Sequence, residues 1–332
     1  MNHVLLRGAL LSALLVLAAC SHPAADFTLT LGGDIMLSRE GEPIFENENE
    51  EINPWKELQK KGVFKEPNIG LPDYFFANLE SPLGENLSET TNMNLCSHPA
   101  QVRVLIEGGV DLVSLANNHR DDCVMNGADV TKSFLEQQNI QSAIQGVDPT
   151  FIVVPGGRMA VVAAEDVTSP LDVELLLKEI ENTRKQAQVV VVSMHWGNEY
   201  QAGADDRQQT LAQQIADAGA NVIWGHHPHV LQKMEWLEST DGRQVLVLYS
   251  LGNLLADQWM LADAQQSALV RLSFKNSQIV GIEIIPLSMD RSSRSLQLAE
   301  SSDLRNRIVE RLGVDDLISE NARIQVFSKV DN

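Results

Sequence analysis

Ala220-Asn221-Val222-Ile223-Trp224-Gly225-His226-His227-Pro228-His229 runs an apolar segment straight into three of the eight histidines of this 332-residue chain. The apolar part reads as a strand, and along extended backbone residues two apart project to one side. Pro228 fixes its own φ and pushes His227 toward β or polyproline geometry. On that reading His227 and His229 point together and His226 faces the other way. Two imidazoles converging at a strand end form half of a metal shell. A polar loop with incidental histidines would give the same letters, so the spacing alone does not decide.

Upstream, the same junction of strand and polar side chain recurs. Phe27 to Leu31 reads as a strand running into Gly32-Gly33-Asp34, and Tyr74 to Leu79 as a buried strand ending at Glu80. A helix over Pro99–Glu107 precedes a strand, Asp111 to Leu115, which runs into Asn117-Asn118-His119. Ala128 to Gln138 looks helical, Ile140 to Ile144 extended, and Phe151 to Ala163 a hairpin turning at Gly156-Gly157. Asp172 to Gln186 carries Val173, Leu176, Leu177 and Ile180 at helical spacing. Val189-Val190-Val191-Val192 is the β-branched run of a strand buried on both faces, and it leads to His195-Trp196-Gly197. A helix over Asp206–Ala218 and strands at Val245–Tyr249, Ser267–Phe274 and Ile279–Ile285 follow. Alternating strands and helices that end in hairpins imply an α/β layered domain with mixed sheets.

Five of these strands thus end on Asp34, Glu80, Asn118-His119, His195 and His227-Pro228-His229. In α/β sheets, ligands and chemistry gather at the carboxyl ends of strands. Each ending has a bland reading too: a turn aspartate, a loop cap at Glu80, a helix N-cap at Asn117, a packed histidine beside Trp196. Five together point to a metal centre.

The first nineteen residues read as a targeting segment. Arg7 is the positive flank, Ala9 to Leu17 the apolar centre, and that run is too short to span a bilayer as a helix. Leu17-Ala18-Ala19-Cys20-Ser21 resembles a bacterial lipobox, in which cleavage before the cysteine precedes its lipidation; an ordinary signal peptide cut nearby would leave Cys20 incidental. Ser21 does not resemble the aspartate of inner-membrane retention, which favours an outer-membrane anchor on the periplasmic side of a Gram-negative envelope. Residues 1–19 are then the signal peptide, 20–26 a tether and 27–332 one domain. The net charge of −20 becomes −21 once Arg7 is removed, a surface unsuited to nucleic acid or anionic lipid. A polyanionic ligand would need a local positive device such as a metal. Cys96 and Cys123 remain, and a disulfide between them fits an oxidising compartment, although their separation in space is not fixed by sequence.

Longer motifs sharpen this. Gly33-Asp34-Ile35-Met36-Leu37, Asn78 to Leu83, Ser114 to His119 with Asp122, Met194 to Gly197 with Glu199-Tyr200, Gly225 to His229 and Tyr249 to Asn253 stand in order. The set resembles the CapA family of capsule and poly-γ-glutamate synthesis proteins, a branch of the calcineurin-like metallophosphoesterases, from about Phe27 to Pro286. The resemblance implies a metallophosphoesterase-like fold, a mixed β-sandwich flanked by helices, holding two divalent ions. It assigns Asp34 to the first metal, Glu80 as the bridge, and Asn118, His195 and His227 to the second metal. It returns His229 to the first metal and makes His119 the acid that protonates the leaving oxygen. Nitrogen and oxygen donors without thiolate suit Mn, Fe or Zn. One departure stands out: the superfamily opens with Asp-x-His, whereas Asp34-Ile35-Met36 offers a thioether, a poor ligand for a hard ion. One firm metal and one weaker are therefore expected.

Arg39, Glu199, Tyr200, Arg207, Tyr249 and Asn253 lie near motif ends and are candidates for the substrate cleft or for support behind it, whereas His3, His22 and His98 have no assigned role. Two functions compete. One is a lipid-anchored metal-dependent hydrolase acting on a phosphate ester or related envelope-polymer substrate. The other is a non-catalytic capsule or poly-γ-glutamate assembly factor that binds polymer or synthase partners.

Overall fold

The computed structural model describes residues 25–39, 42–46, 51–64, 72–85 and 94–314, together with the backbone of 324–326. The signal segment, Cys20, His3, His22 and the middle of the acidic stretch Glu46–Glu51 lie outside the described residues. The chain opens with β1 (Phe27–Ile35), a small ribbon of β2 (Ser38–Arg39) and β3 (Glu42–Pro43), and α1 (Lys56–Lys60). It then alternates β4 (Asp73–Leu79), α2 (Val102–Gly108), β5 (Leu112–Ser114), α3 (Gly127–Glu136) and β6 (Gln141–Ala143). Strands β1, β4, β5 and β6 pair in parallel. The helix expected over Pro99–Glu107 opens as one 3₁₀ turn, Pro99–Gln101, because Pro99 follows a His98 cap and supplies no N–H.

A second sheet follows. The β7 (Thr150–Val154) and β8 (Gly157–Glu165) hairpin leads to α4 (Val173–Arg184), β9 (Val189–His195), α5 (Asp206–Ala218) and β10 (Val222–His226), then β11 (Met234–Glu238) and β12 (Gln244–Leu248). Its order is β11-β12-β10-β9-β8-β7, with antiparallel pairs at both edges and parallel pairs between. Helix α5 starts where the sequence says it must. The Asp205 carboxylate accepts from the Gln208 N–H while the Gln208 side chain accepts from the Asp205 N–H, closing a capping box. The chain then returns to the first sheet through β13 (Asn253–Leu255), β14 (Gln266–Lys275), β15 (Gln278–Asp290) and β16 (Ser295–Leu298), with α6 (Ser302–Arg311) and β17 (Ile324–Val326) at the end.

Three apolar layers hold this together. Phe27, Leu29, Leu31, Val189, Val191, Val222, Trp224 and Val270 fill the space between the sheets. Val190, Val192 and Met194 point from β9 to the opposite side, against Ile180 of α4 and Leu211 and Ile215 of α5. The four-valine run is thus buried on both faces, each side chain contributing roughly 1.5–3 kcal/mol. Val113 and Leu79 meet Val104, Leu105 and Leu135 on the outer side of the first sheet. The architecture is helix, sheet, sheet, helix: a mixed α/β sandwich flanked by helices.

Two features set the sheets against each other at one end. Trp224 Nε1 donates to the Gly32 carbonyl at 2.8 Å, from β10 to β1. At Gly33 a Cβ would lie 1.8 Å from the Gly252 oxygen, so only glycine lets β1 approach the Ser250–Asn253 segment closely enough for the Asp34 N–H to donate to Gly252 O.

Candidate metal centre

The carboxyl ends of β1, β4, β5, β9 and β10 meet at that place, and all six sequence-predicted ligands arrive together. Asp34, Glu80, His195, His227 and His229 are buried, and Asn118 is half-buried. Ligand atoms lie within 4.8 Å of one another in four overlapping groups: Asp34–His195–His226, Glu80–His195–His227, Asp34–Glu80–His229 and Glu199–His227–His229. His195 Nε2 stands 3.6 Å from Glu80 Oε1 and 2.6 Å from Asn118 Oδ1. His229 lies 3.2 Å from Asp34 Oδ2 through Nδ1 and 3.9 Å from Glu80 Oε2 through Nε2.

Such a nest could hold a cation. Both Glu80 oxygens and His227 Nδ1 are buried without a hydrogen-bond partner. A buried carboxylate left unpaired costs several kcal/mol, so its retention fits a bound positive charge. Burial pushes the Glu80 carboxyl up to about 7, although His229 pulls it down. Burial likewise works against charge on His229, but Glu80 and Asp34 outweigh it and raise its pKa to about 9. Burial and the charge of His229 lower His227 to about 4, and burial with the surrounding histidines takes His195 well below its usual range.

The strand-end motif reaches the site by a different route from the one its letters suggest. Strand β10 stops at His226, and His227 and His229 take φ of 99° and 59° rather than extended values. On β10 the inward residues are Val222, Trp224 and His226, so His226 does not face away. It is the histidine that strand alternation places inside. His227 would then point outward, and two left-handed residues around Pro228 coil the chain back to return both later rings. The turn is held by His227 N–H to Asp34 Oδ2, 3.3 Å, and Tyr200 N–H to Pro228 O, 2.8 Å.

Register gives His226 a place in the cluster that sequence reading missed. It pairs across the sheet with His195, and the two Nδ1 atoms are 2.7 Å apart. Ser193 Oγ donates to Ser114 Oγ at 2.8 Å and lies 2.7 Å from His226 Nε2, so it accepts from that nitrogen. His226 Nδ1 must then accept from His195 Nδ1–H, which leaves the lone pair of His195 on Nε2. In this tautomer His195 Nε2 and Asn118 Oδ1 are both acceptors at 2.6 Å, as two ligands of one cation would be.

His119 stands at the rim with its side chain 16% exposed. Its Nδ1 is 2.9 Å from Asp122 Oδ2, so Nε2 is the atom offered to a substrate. Burial opposes protonation of His119, yet the Asp122 hydrogen bond and the Glu80 charge prevail and its pKa is raised. Asp122 in turn accepts from the Leu95 N–H at 2.7 Å, and its carbonyl accepts from Asn94. The Cys96–Cys123 disulfide, whose Cα atoms are 4.8 Å apart, clamps these two segments beside the acid.

The remaining candidates divide. Asn253 is buried, with Oδ1 3.1 Å from His229 Nδ1 and its amide N–H groups given to Gln258 and Ala264, so it steadies the His229 ring. Arg39 pairs with Asp257 and lines a cavity of about 500 Å³ with Trp259 and Arg294; its Nη2 lies 3.7 Å from Met36 Sδ. Tyr200 lies tilted against His229, ring centroids 5.9 Å apart and planes 41° apart, and Glu199 lies beside it. Arg207 is bound to Asp166 at the surface, and Tyr249 is buried with its hydroxyl on Glu235, so both serve packing away from the cleft.

Comparison with known proteins agrees with the motif reading. The sequence model of a family described as "Bacterial capsule synthesis protein PGA_cap" matches residues 28–258. The PGA biosynthesis protein CapA of Bacillus subtilis (strain 168) is 29% identical over 285 residues, covering 79% of this chain and 71% of that one. The capsule biosynthesis protein CapA of Bacillus anthracis is 28% identical over 319 residues, covering 87% and 73%. A phosphatase structure from Mycoplasma pneumoniae superposes at a TM-score of 0.47 with 9% identity, covering 83% of this chain and 92% of that one, a loose likeness that carries no functional weight.

Proposed function

The chain belongs to the bacterial capsule synthesis protein family, and from that premise we propose that it is a metal-dependent hydrolase of a phosphate ester, or a related envelope-polymer substrate, acting in capsule or poly-γ-glutamate synthesis. The observation that carries this is Glu80, buried with two unpartnered oxygens between His195 and His229, with the His119–Asp122 pair facing the same space. Glu80, Asn118, His195 and His227 would hold one divalent ion firmly, and Asp34, His229 and the shared Glu80 a second, weaker one. Mn, Fe or Zn in these positions would supply electrophilic pull on phosphate oxygens and a more acidic bound water.

The protein's own residues do the rest. His226 fixes the tautomer of His195, and Asn253 fixes the orientation of His229. Asp122 holds the His119 ring by Nδ1 and favours its charged form, so that Nε2 carries the proton a leaving oxygen needs. Arg39 and Arg294 line a cavity near Met36, but Glu42 and Asp257 line it too and Arg39 is paired with Asp257, so the arginines leave it no net positive charge. Anchorage through a lipidated Cys20 on the periplasmic face of the outer membrane, near synthase partners, belongs to the same proposal; no helix among the described residues is long and apolar enough to cross a membrane.

The names of the Bacillus relatives favour a second reading, a polymer-assembly factor that needs the site for binding rather than hydrolysis. Hydrolysis of p-nitrophenyl phosphate and bis(p-nitrophenyl) phosphate with added Mn²⁺ separates the two. Wild type should turn over while His119→Ala and His195→Ala do not; three equally inert proteins under every metal tried would remove the hydrolase.

A further inference from the structure

The cavity of about 500 Å³ beside the metal centre carries both signs of charge on its wall: Arg39 and Arg294, Glu42 and Asp257, with Trp259 and Ile44 as its apolar part. One end adjoins the candidate ligands. Arg39 Nη2 lies 3.7 Å from the sulfur of Met36, two residues beyond Asp34. The segment that carries Asp257 and Trp259 is tied in through Gln258, which accepts from the Asn253 amide at 2.9 Å.

The four charges reach this space by different routes. Arg39 and Glu42 are register partners in the β2–β3 ribbon, so their side chains leave the same face. Arg39 holds Asp257 Oδ1 through Nε at 2.7 Å and Nη2 at 2.6 Å, with the two side chains 27% and 24% exposed. Such a half-wet pair is worth little and a ligand can enter it at small cost. The Glu42 carboxylate has no hydrogen bond or ion pair among the described residues. Arg294 comes from the turn between β15 and β16, where its φ is 49°, unfavourable for a residue with a side chain. Its Nη1 donates to the carbonyls of Ile44 and Glu46 at 2.7 and 3.0 Å, and its Nε and Nη2 have no partner among the described residues.

An open carboxylate and open guanidinium donors thus line one space without pairing with each other. The four charges cancel, so a simple anion or cation gains one partner and meets an opponent. A ligand that carries both charges gains at both ends, each through a charge-assisted hydrogen bond. Trp259 adds an aromatic wall, which attracts an ammonium. We propose that this cavity binds a zwitterionic α-amino-acid group, its carboxylate on Arg294 and its ammonium on Glu42. That the group belongs to the substrate of the metal centre rests on the function proposed above; the binding itself needs no metal.

Saturation-transfer difference NMR on the metal-stripped full chain tests this, with L-alanine, L-alaninamide, N-acetyl-L-alanine and D-glucose as probes. L-Alanine should bind about tenfold or more tightly than either singly charged analogue, and glucose should not bind. Glu42→Gln, a change at an exposed side chain, should weaken L-alanine about tenfold, the loss of one charge-assisted hydrogen bond. It should leave N-acetyl-L-alanine, which has no ammonium, unchanged. N-acetyl-L-alanine or glucose bound as tightly as L-alanine, or L-alanine binding untouched by Glu42→Gln, would overturn the site and leave the hydrolase standing. L-Alanine binding that follows this pattern in a chain that hydrolyses neither nitrophenyl ester would keep the site and remove the hydrolase.

Discussion

The two halves of the centre share Glu80, yet their histidines are prepared in opposite protonation states. In the half built on β5, β9 and the end of β10, His195 and His227 are held neutral by burial and mutual repulsion. Their lone pairs are ready, and the His226–Ser193–Ser114 chain points that of His195 inward. In the half built on β1, His229 is held protonated by Asp34 and Glu80. There a proton already balances the acids, and an entering ion must displace it. The comparison teaches that ligand count is one part of affinity; the charge that a pocket carries before the metal arrives is another.

That contrast is open to attack. The largest effect should come from His195→Ala, which removes a ligand from the ready half: loss of the firmly held ion by elemental analysis, and a fall in hydrolysis of roughly 10³-fold or more. Retention of that ion would dissolve the distinction between the halves. His119→Ala should reduce hydrolysis roughly 10²–10⁴-fold while leaving both metal classes in place, since its ring is outside the nest. A change in stoichiometry would make it a ligand instead. His226→Ala should loosen only the firm ion, by about 10–100-fold, read in a chelator competition; an equal effect on both ions would mean that His226 supports the fold and not His195. The smallest effect is in pH. Because His229 must lose a proton raised to about 9, affinity of the weaker site should climb with pH, by up to about tenfold per unit from 7 toward 9. The firm site, whose histidines are neutral throughout that range, should stay nearly flat. Parallel curves would refute the protonation contrast.

What the sequence made legible follows from where signals are local. Helix α5 runs Asp206–Ala218, as its letters predict, because Asp205 caps it and Gly219 ends it. The valine run could be placed because no other element is so continuously β-branched. Strand β11 and helix α6 went unread: Met234–Glu238 is a half-buried edge, and α6 buries only Ile308 and Val309, too few to mark a face. The candidate ligands were legible as strand endings. Their arrangement was not. His226 acquires its role through cross-strand register with His195, and His227 and His229 return through left-handed backbone that an X-Pro rule argues against. Asp122 stood in a recognised motif, but its grip on His119 depends on a turn closed by Asp122 N–H to His119 O.

The cross-link between Cys96 and Cys123 touches both parts of the centre. Cys123 Sγ lies 3.3 Å from the Pro82 carbonyl, two residues beyond Glu80. The same cross-link keeps the Leu95 donor against Asp122, and hence the ring of His119 steady. Closing a loop of 27 residues adds about 3.5 kcal/mol by the chain-entropy relation, which acts by constraining the unfolded chain. One covalent bond thus ties the end of the strand that carries Glu80 to the turn that holds His119.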